Sequence, residues 1–383
     1  MRFVSFIKEL YNHYDYLKNL ERLSYDEIRL EQISRAKQLG KKFDIEIEDW
    51  KDFKKLPFTT KDQLRKYVPK AKNYSLTQTT GRTGEPFWFP VPLKRNAVDK
   101  ATELRNWTYL GWNKQWSIRL TRGEPGRIFK VYNRLLFNIS CKNYRTVNYS
   151  YVKLLLKKPF IIQGGTSAMR ELAWLASKYK VKASETKCVV LGEDPKEHIS
   201  ALKEEFQDVY QTYGLAECVN VAFECIYHTL HVNMGNCIVE SIDGELVITN
   251  LNNDVTPFIR YKTGDKGNVT KLKCLCGLET DVIINLQGKS IGFYADENLK
   301  KPLGWWMLSY LKNNYGNYIK RFRAIAYPKE RTIKLLVIPK NNETRERLRS
   351  YLTYLSENTG YDVELEIVDE IEEQYKLFEV VTD

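Results

Sequence analysis

A chain of 383 residues is long enough to bury a sizeable core and to divide into two or three domains. Its 43% hydrophobic and 28% charged residues are ordinary for a globular protein, and no apolar run approaches the ~20 residues of a membrane span, which excludes an integral membrane protein. The net charge of +12 suits a polyanion: nucleic acid, an anionic surface, or a small molecule such as ATP or coenzyme A. The lysines are spread over expected helices rather than gathered in a block, which argues against a nucleic-acid groove, and the 25 scattered tyrosines read as core and interface residues. Seven dispersed cysteines form no disulfide framework, and the N-terminus is too charged for a signal peptide, so a cytoplasmic protein is expected.

The first ~70 residues read as helical. Ser24 and Glu27 have capping-box spacing, followed by Ile28, Ile33, Ala36 and Leu39 on one face, with Gly40 as the expected stop. A second box, Thr60 and Gln63, opens a short helix after LPFTT. From about 74 the pattern changes to strand, loop, strand, and 93–111 is helical again. IIQGG before TSAMRELAWLASKY, KCVVLG before PKEHISALKEEF, and DVYQTYG after it alternate strand with helix, an α/β pattern. NCIVESIDGELVITNL then reads as a hairpin turning at Asp243-Gly244. From about 318 the order strand, strand, helix, strand makes a small α+β unit. The expectation is a large α/β domain with mixed sheets over 1–288, joined by a hinge to a small mobile α+β domain over 289–383.

The stretch TQTTGRTGEPFW, residues 77–88, places Thr79, Thr80, Gly81, Arg82, Thr83 and Gly84 in a row. Hydroxyls and glycine-permitted amides suit a curved track of phosphate oxygens. The loop lacks the Gly-Lys-Ser/Thr ending of a P-loop, since Glu85 and Pro86 follow Gly84, and a plain turn fits it equally well in isolation.

Its company is more specific. TTGRTGEP (79–86), GE (192–193) after a strand, YGLAE (213–217), RYKTGD (260–265) and GKS (288–290) occur in the order of the motifs of the adenylate-forming acyl-ligase superfamily. LPFTTK (56–61) resembles a stretch of its phenylacetate–coenzyme A ligase-like and capsule-biosynthesis-type branch. The resemblance spans nearly the whole chain. It implies that the 79–84 loop closes over the β- and γ-phosphates, with Thr80 taking part in catalysis. Gly192 and Glu193 would line the adenine pocket, Tyr213 would offer adenine a flat face beside Gly214, and Asp265 would accept hydrogen bonds from the ribose hydroxyls. Glu217 would be the Mg²⁺ ligand, also counted as catalytic, and Lys289 would stand at the hinge. Lys376, in EEQYKLFEV, resembles the catalytic lysine of the terminal Gly-Lys-x-x-x-Val element, with Tyr375 replacing the glycine. Without the resemblance, Tyr213 reads as a core tyrosine, Glu217 as a solvated helix residue and Lys376 as a surface lysine.

The implied reaction joins a carboxylate to ATP as an acyl adenylate, then passes the acyl group to coenzyme A. At the hinge Lys289 replaces the usual arginine, and SIGFYADENLKKPLGWW (290–306) lacks the usual aspartate and thiol-facing loop. An amine acceptor, or a degenerate protein that binds nucleotide without turnover, therefore competes. The carboxylate itself is not specified by the sequence, although Trp107, Tyr109 and Trp112 are candidate pocket aromatics that serve equally as helix core. Cys225 and His231 in FECIYHTLH, with Cys274 and Cys276 in KCLCG, supply three thiolates and an imidazole, a set that suits tetrahedral structural Zn²⁺. His228 is a substitute ligand, and free thiols are the competing reading. The resembling branch carries a similar Cys/His set.

Overall fold

The computed structural model describes residues 3–79, 87–121, 130–133, 137–143, 149–288, 292–295, 299, 302–371 and 378–381. Thr80, Gly81, Arg82, Thr83, Gly84, Lys289 and Lys376 lie outside the described residues. The chain folds into two compact units. One combines Met1–Thr80, Pro86–Asn113 and Tyr210–Gly288, and the other Gly81–Glu85, Lys114–Val209 and Lys289–Asp383.

The first unit sets helices against an antiparallel sheet. Both capping boxes form. Ser24 caps the helix Tyr25–Lys42 and Thr60 caps Lys61–Arg65, each box closed reciprocally by the side chain at N3, Glu27 or Gln63. Gly40 does not stop the first of these helices, which continues to Lys42. A Cβ at Gly40 would lie 2.5 Å from the Ile45 carbonyl, so the glycine admits the returning chain against the last turn instead of ending it. The expected hairpin joins Cys237–Ile242 to Glu245–Asn250 through Asp243 and Gly244, both at positive φ (51° and 77°). Next to it run Tyr261–Lys273, Glu279–Gln287, Leu230–Val232 and Ala222–Glu224, ending where Thr212 and Tyr213 pair with Phe223 and Ala222. Ile28, Val221, Val232, Val239, Leu246 and Ile248 form the core below this sheet.

The second unit contains the α/β alternation. Ala183–Leu191, Ile161–Gly165, Ser117–Thr121 and Phe137–Asn143 lie parallel in that order, with Lys130–Asn133 antiparallel at the edge. The strand Ile161–Gly165 is buried throughout, as a parallel strand covered on both faces must be. The helix Thr166–Lys178 packs Met169, Leu172 and Ala176 beside it. The expected helix over PKEHISALKEEF is shorter, a 3₁₀ turn Lys196–His198 leading into Ile199–Lys203. The same unit holds the α+β element order read from the C-terminal sequence. Asp362–Ile367, Thr332–Pro339, Ile319–Tyr327 and Phe378–Val380 form a sheet in that order. Met307 and Leu311 of Trp305–Tyr315, and Leu348, Tyr351 and Leu355 of Thr344–Thr359, cover it. Gly360 ends the latter helix at φ 69°, the left-handed stop that glycine permits. The fold is therefore α/β with mixed sheets plus a small α+β element. Among the described residues no helix is long and apolar enough to cross a membrane.

Candidate functional site

Within the first unit the structure brings together three motifs that are far apart in sequence. Thr59 of LPFTTK pairs with the RYKTGD segment: its amide donates to the Arg260 carbonyl at 3.0 Å, and the Lys262 amide donates to the Thr59 carbonyl at 3.0 Å. Arg260 is only 5% exposed. Its Nε and Nη2 grip the two oxygens of Glu240 at 3.0 and 3.1 Å, while Nη1 donates to the carbonyls of Lys54 and Leu56, both at 2.6 Å. The arginine of this motif is thus an anchor for the strand entry, with four of its five N–H donors taken by protein acceptors.

YGLAE and RYKTGD interlock through two tyrosines. Tyr213 Oη donates to Asp265 Oδ2 at 3.0 Å, and Tyr261 Oη donates to Glu217 Oε1 at 2.9 Å. Burial, followed by the neighbouring carboxylate, pushes both phenols up from 10, so both remain donors at neutral pH. Tyr213 is buried and belongs to the core below the sheet, the placement its strand-end position suggests without the motif. Asp265 is half-buried next to Gly264, whose φ of 75° falls inside the strand Tyr261–Lys273 where its pairing with Glu245–Asn250 shifts register.

The loop that carries Glu217 is held from several sides. Leu215 N–H donates to the Cys218 carbonyl at 2.9 Å, and a Cβ on Gly214 would approach the Asn220 nitrogen to 2.8 Å, so only glycine allows so tight a return. Arg95 Nη2 donates to the Ala216 carbonyl at 2.6 Å and Asn250 Nδ2 to the Glu217 carbonyl at 2.8 Å. Glu217 is 8% exposed and borders a polar cleft lined also by Arg95, Asp99, Asn236, Asn250 and Asn253. Its Oε2 takes no hydrogen bond and its carboxylate no ion pair among the described residues. That oxygen is not among the buried side-chain atoms left without a partner, so it stays open to solvent. One oxygen fixed and one open, beside a polar cleft, fits a hard divalent ion that keeps its other positions for water and phosphate oxygens. Tyr261, Arg95 and Asn250 escaped the sequence reading. Only Tyr261 carried a signal, as a member of RYKTGD.

The second unit places Gly192 at φ 82° after the strand Ala183–Leu191. Glu193 turns inward: its carboxylate accepts from the Ser167 amide at 2.9 Å and from the Ser167 hydroxyl, while its carbonyl accepts from Thr166 Oγ1 at 3.1 Å. The helix Thr166–Lys178 has no side-chain cap of its own at Gly165, so Glu193 supplies the acceptor and the negative charge that its N-terminus favours. Trp107 and Trp112, candidate pocket aromatics, are instead 1% and 4% exposed and pack edge-to-face at 5.7 Å in the helix core, while Tyr109 packs against Phe223.

Cys225, His231, Cys274 and Cys276 converge, their four ligand atoms all within 4.8 Å of one another. Cys225 Sγ is 3.8 Å from Cys274 Sγ, and Cys276 Sγ is 3.3 Å from His231 Nε2. A metal about 2.3 Å from each sulfur sets a tetrahedral S–S edge of about 3.8 Å, so the donor set and its spacing fit Zn²⁺. Burial holds His231 neutral by drawing its pKa down to about 4, and its Nδ1 lies 2.7 Å from Thr280 Oγ1, leaving Nε2 toward the thiols. The Tyr227 amide donates to Cys225 Sγ at 3.4 Å. His228 instead stacks on Tyr210 at 4.9 Å, outside the cluster. The strand pairing of His231 with Val282 is what brings the two Cys-bearing turns together.

No protein-family model and no curated protein matches the sequence. Solved structures do. The open conformation of 2-hydroxyisobutyryl-CoA ligase in complex with 2-HIB-AMP and CoA superposes at TM-score 0.53 and 15% identity, covering 96% of this chain and 90% of that one. The same ligase in its postadenylation state with 2-HIB-AMP gives 0.54 and 16%, over 96% and 88% of the two chains. Its thioesterification state with 2-HIB-AMP and CoA gives 0.57 and 16%, over 95% and 88%. At this identity it is the fold that is shared: the chain has the architecture seen in 2-hydroxyisobutyryl-CoA ligase.

Proposed function

We propose that this protein is an ATP-dependent, AMP-forming carboxylate ligase that makes an acyl adenylate and passes the acyl group to coenzyme A. The observation that carries the reading is the cross-linking of YGLAE and RYKTGD, which sets a tyrosine-held Glu217 and a tyrosine-held Asp265 in one unit. In the first half-reaction a carboxylate oxygen of the acid attacks the α-phosphorus of ATP, the bond to the bridging oxygen breaks, and pyrophosphate leaves. Charge gathers on phosphate oxygens, so the site needs cations and donors more than a base. Glu217 would hold Mg²⁺, which would supply positive charge to the phosphate oxygens. Asp265 takes the ribose hydroxyls, Tyr213 lies beside the nucleoside with its Oη on Asp265, and Gly192 and Glu193 serve adenine through a turn that Ser167 pins. Thr79 to Gly84 wrap the phosphates, and Lys376 brings the transition-state cation from a mobile 289–383 domain that turns about a hinge at Lys289. In the second half-reaction the thiol sulfur attacks the acyl carbon and AMP departs. Cys225, His231, Cys274 and Cys276 would hold Zn²⁺, which would brace the strand that carries RYKTGD and leave no position open for substrate.

A second reading, transfer to an amine as in capsule modification, is favoured by the hinge sequence, where Lys289 and 290–306 depart from the thiol-binding pattern. An ATP–pyrophosphate exchange screen over a panel of carboxylates tests the first step. No exchange with any acid, together with tight ATP binding, would leave a binding protein rather than a ligase. Adding coenzyme A or amines to the active acid then separates the two acceptors.

A further inference from the structure

We infer that Tyr261 is a positioning residue for divalent-cation binding, acting through Glu217, an inference that rests on the proposed role of Glu217. The carboxylate of Glu217 has three torsions left once its backbone is fixed: χ1 and χ2, which swing the side chain, and χ3, which rotates the carboxylate plane. The backbone is already fixed, by Asn250 on the Glu217 carbonyl, Arg95 on Ala216 and the Leu215–Cys218 turn. The Tyr261 hydroxyl restrains what remains by holding Oε1 at 2.9 Å, which leaves Oε2 as the oxygen open to a cation.

Tyr261 is itself rigid. It is 5% exposed, packs edge-to-face on Phe258 at 5.3 Å, and shares a core with Leu64, Phe87 and Phe89. Its backbone is bridged to Thr59 on one side and paired with Ile248 on the other. The ring therefore cannot follow the carboxylate if the latter moves, and the hydrogen bond acts as a fixed stop. Outer partners of this kind tune metal affinity by about 10–100-fold.

The test is the Mg²⁺ activation curve of ATP–pyrophosphate exchange for wild type, Tyr261→Phe, Glu217→Gln and Tyr25→Phe, with Mg²⁺-dependent ATP binding measured by calorimetry as a readout that needs no turnover. Tyr25→Phe is the structural control, because it also removes a tyrosine–carboxylate bond, to Asp281 at 2.7 Å, away from the cleft. The expected result is a rise of roughly tenfold in the half-saturating Mg²⁺ concentration for Tyr261→Phe, with kcat largely recovered at saturating Mg²⁺ and no rise for Tyr25→Phe. If Glu217→Gln shifts the curve and Tyr261→Phe does not, the positioning role is refuted and the cation site stands. If Glu217→Gln leaves the curve unchanged, the proposed role of Glu217 falls, and the inference falls with it. A loss of kcat in Tyr261→Phe that excess Mg²⁺ does not restore, matched by an equal loss in the control, overturns the inference in favour of a merely structural tyrosine.

Discussion

Replacing Arg260 with Met separates an anchoring arginine from one that holds phosphate. Methionine keeps the apolar stem, including its packing near Phe58, while removing the fork. What it leaves behind is an unpaired Glu240, whose side chain is 16% exposed, and the carbonyls of Lys54 and Leu56 without their donor. Breaking a largely buried pair by deleting one partner costs about 3–5 kcal/mol, because the remaining charge keeps its desolvation penalty. For a domain of roughly 150–250 residues each kcal/mol moves Tm by about 2–4 °C, so a fall on the order of 10 °C is expected. Differential scanning calorimetry of wild type, Arg260→Met and the double variant Arg260→Met/Glu240→Met reads it directly. The double variant should regain part of the loss, since the orphaned charge is gone while the two carbonyls remain unmet. A melting temperature within 2 °C of wild type for Arg260→Met, accompanied by a raised ATP constant, would refute the anchoring role and return the guanidinium to the nucleotide.

Asp265→Ala should raise the apparent ATP constant more than it lowers kcat, because a ribose contact is made in ground and transition states alike; steady-state kinetics with varied ATP checks it. Lys376→Ala should cut adenylate formation by about a hundredfold or more while leaving ATP binding intact, and unchanged pyrophosphate release would remove Lys376 from the mechanism. Protein purified without added zinc should contain about one Zn²⁺ per chain, and Cys276→Ser should lose it and melt lower; metal-free protein of full activity and unchanged melting would sink the assignment. Burial draws the His13 imidazole from 6.5 down to about 4, partly opposed by its bond to Asn236. The unfolded chain therefore takes up a proton that the folded one refuses. This stability is complete above pH 6.5 and falls by up to about 3 kcal/mol as pH drops toward 4; denaturation of His13→Gln across that range should show a flatter profile.

Local chemistry was enough for the elements. Ser24 with Glu27, Thr60 with Gln63, and Asp243 with Gly244 each act within a few residues, so composition and spacing reveal them before any tertiary contact exists. Gly40 marks where that logic ends, because its reason for being glycine is a carbonyl five residues on that only the folded turn brings back. The sequence also set the order of YGLAE and RYKTGD and the identities of the four Cys and His residues. Tertiary structure decided what those residues do to one another. Tyr213 meets Asp265 and Tyr261 meets Glu217 across 52 and 44 positions of chain. Glu193 caps a helix that begins 27 residues before it. Trp107 and Trp112 went to the core rather than to a pocket. The physical reason is common to all of these: a side chain's partners at such separations are set by strand register and packing, and register is a property of whole paired strands that no short segment encodes.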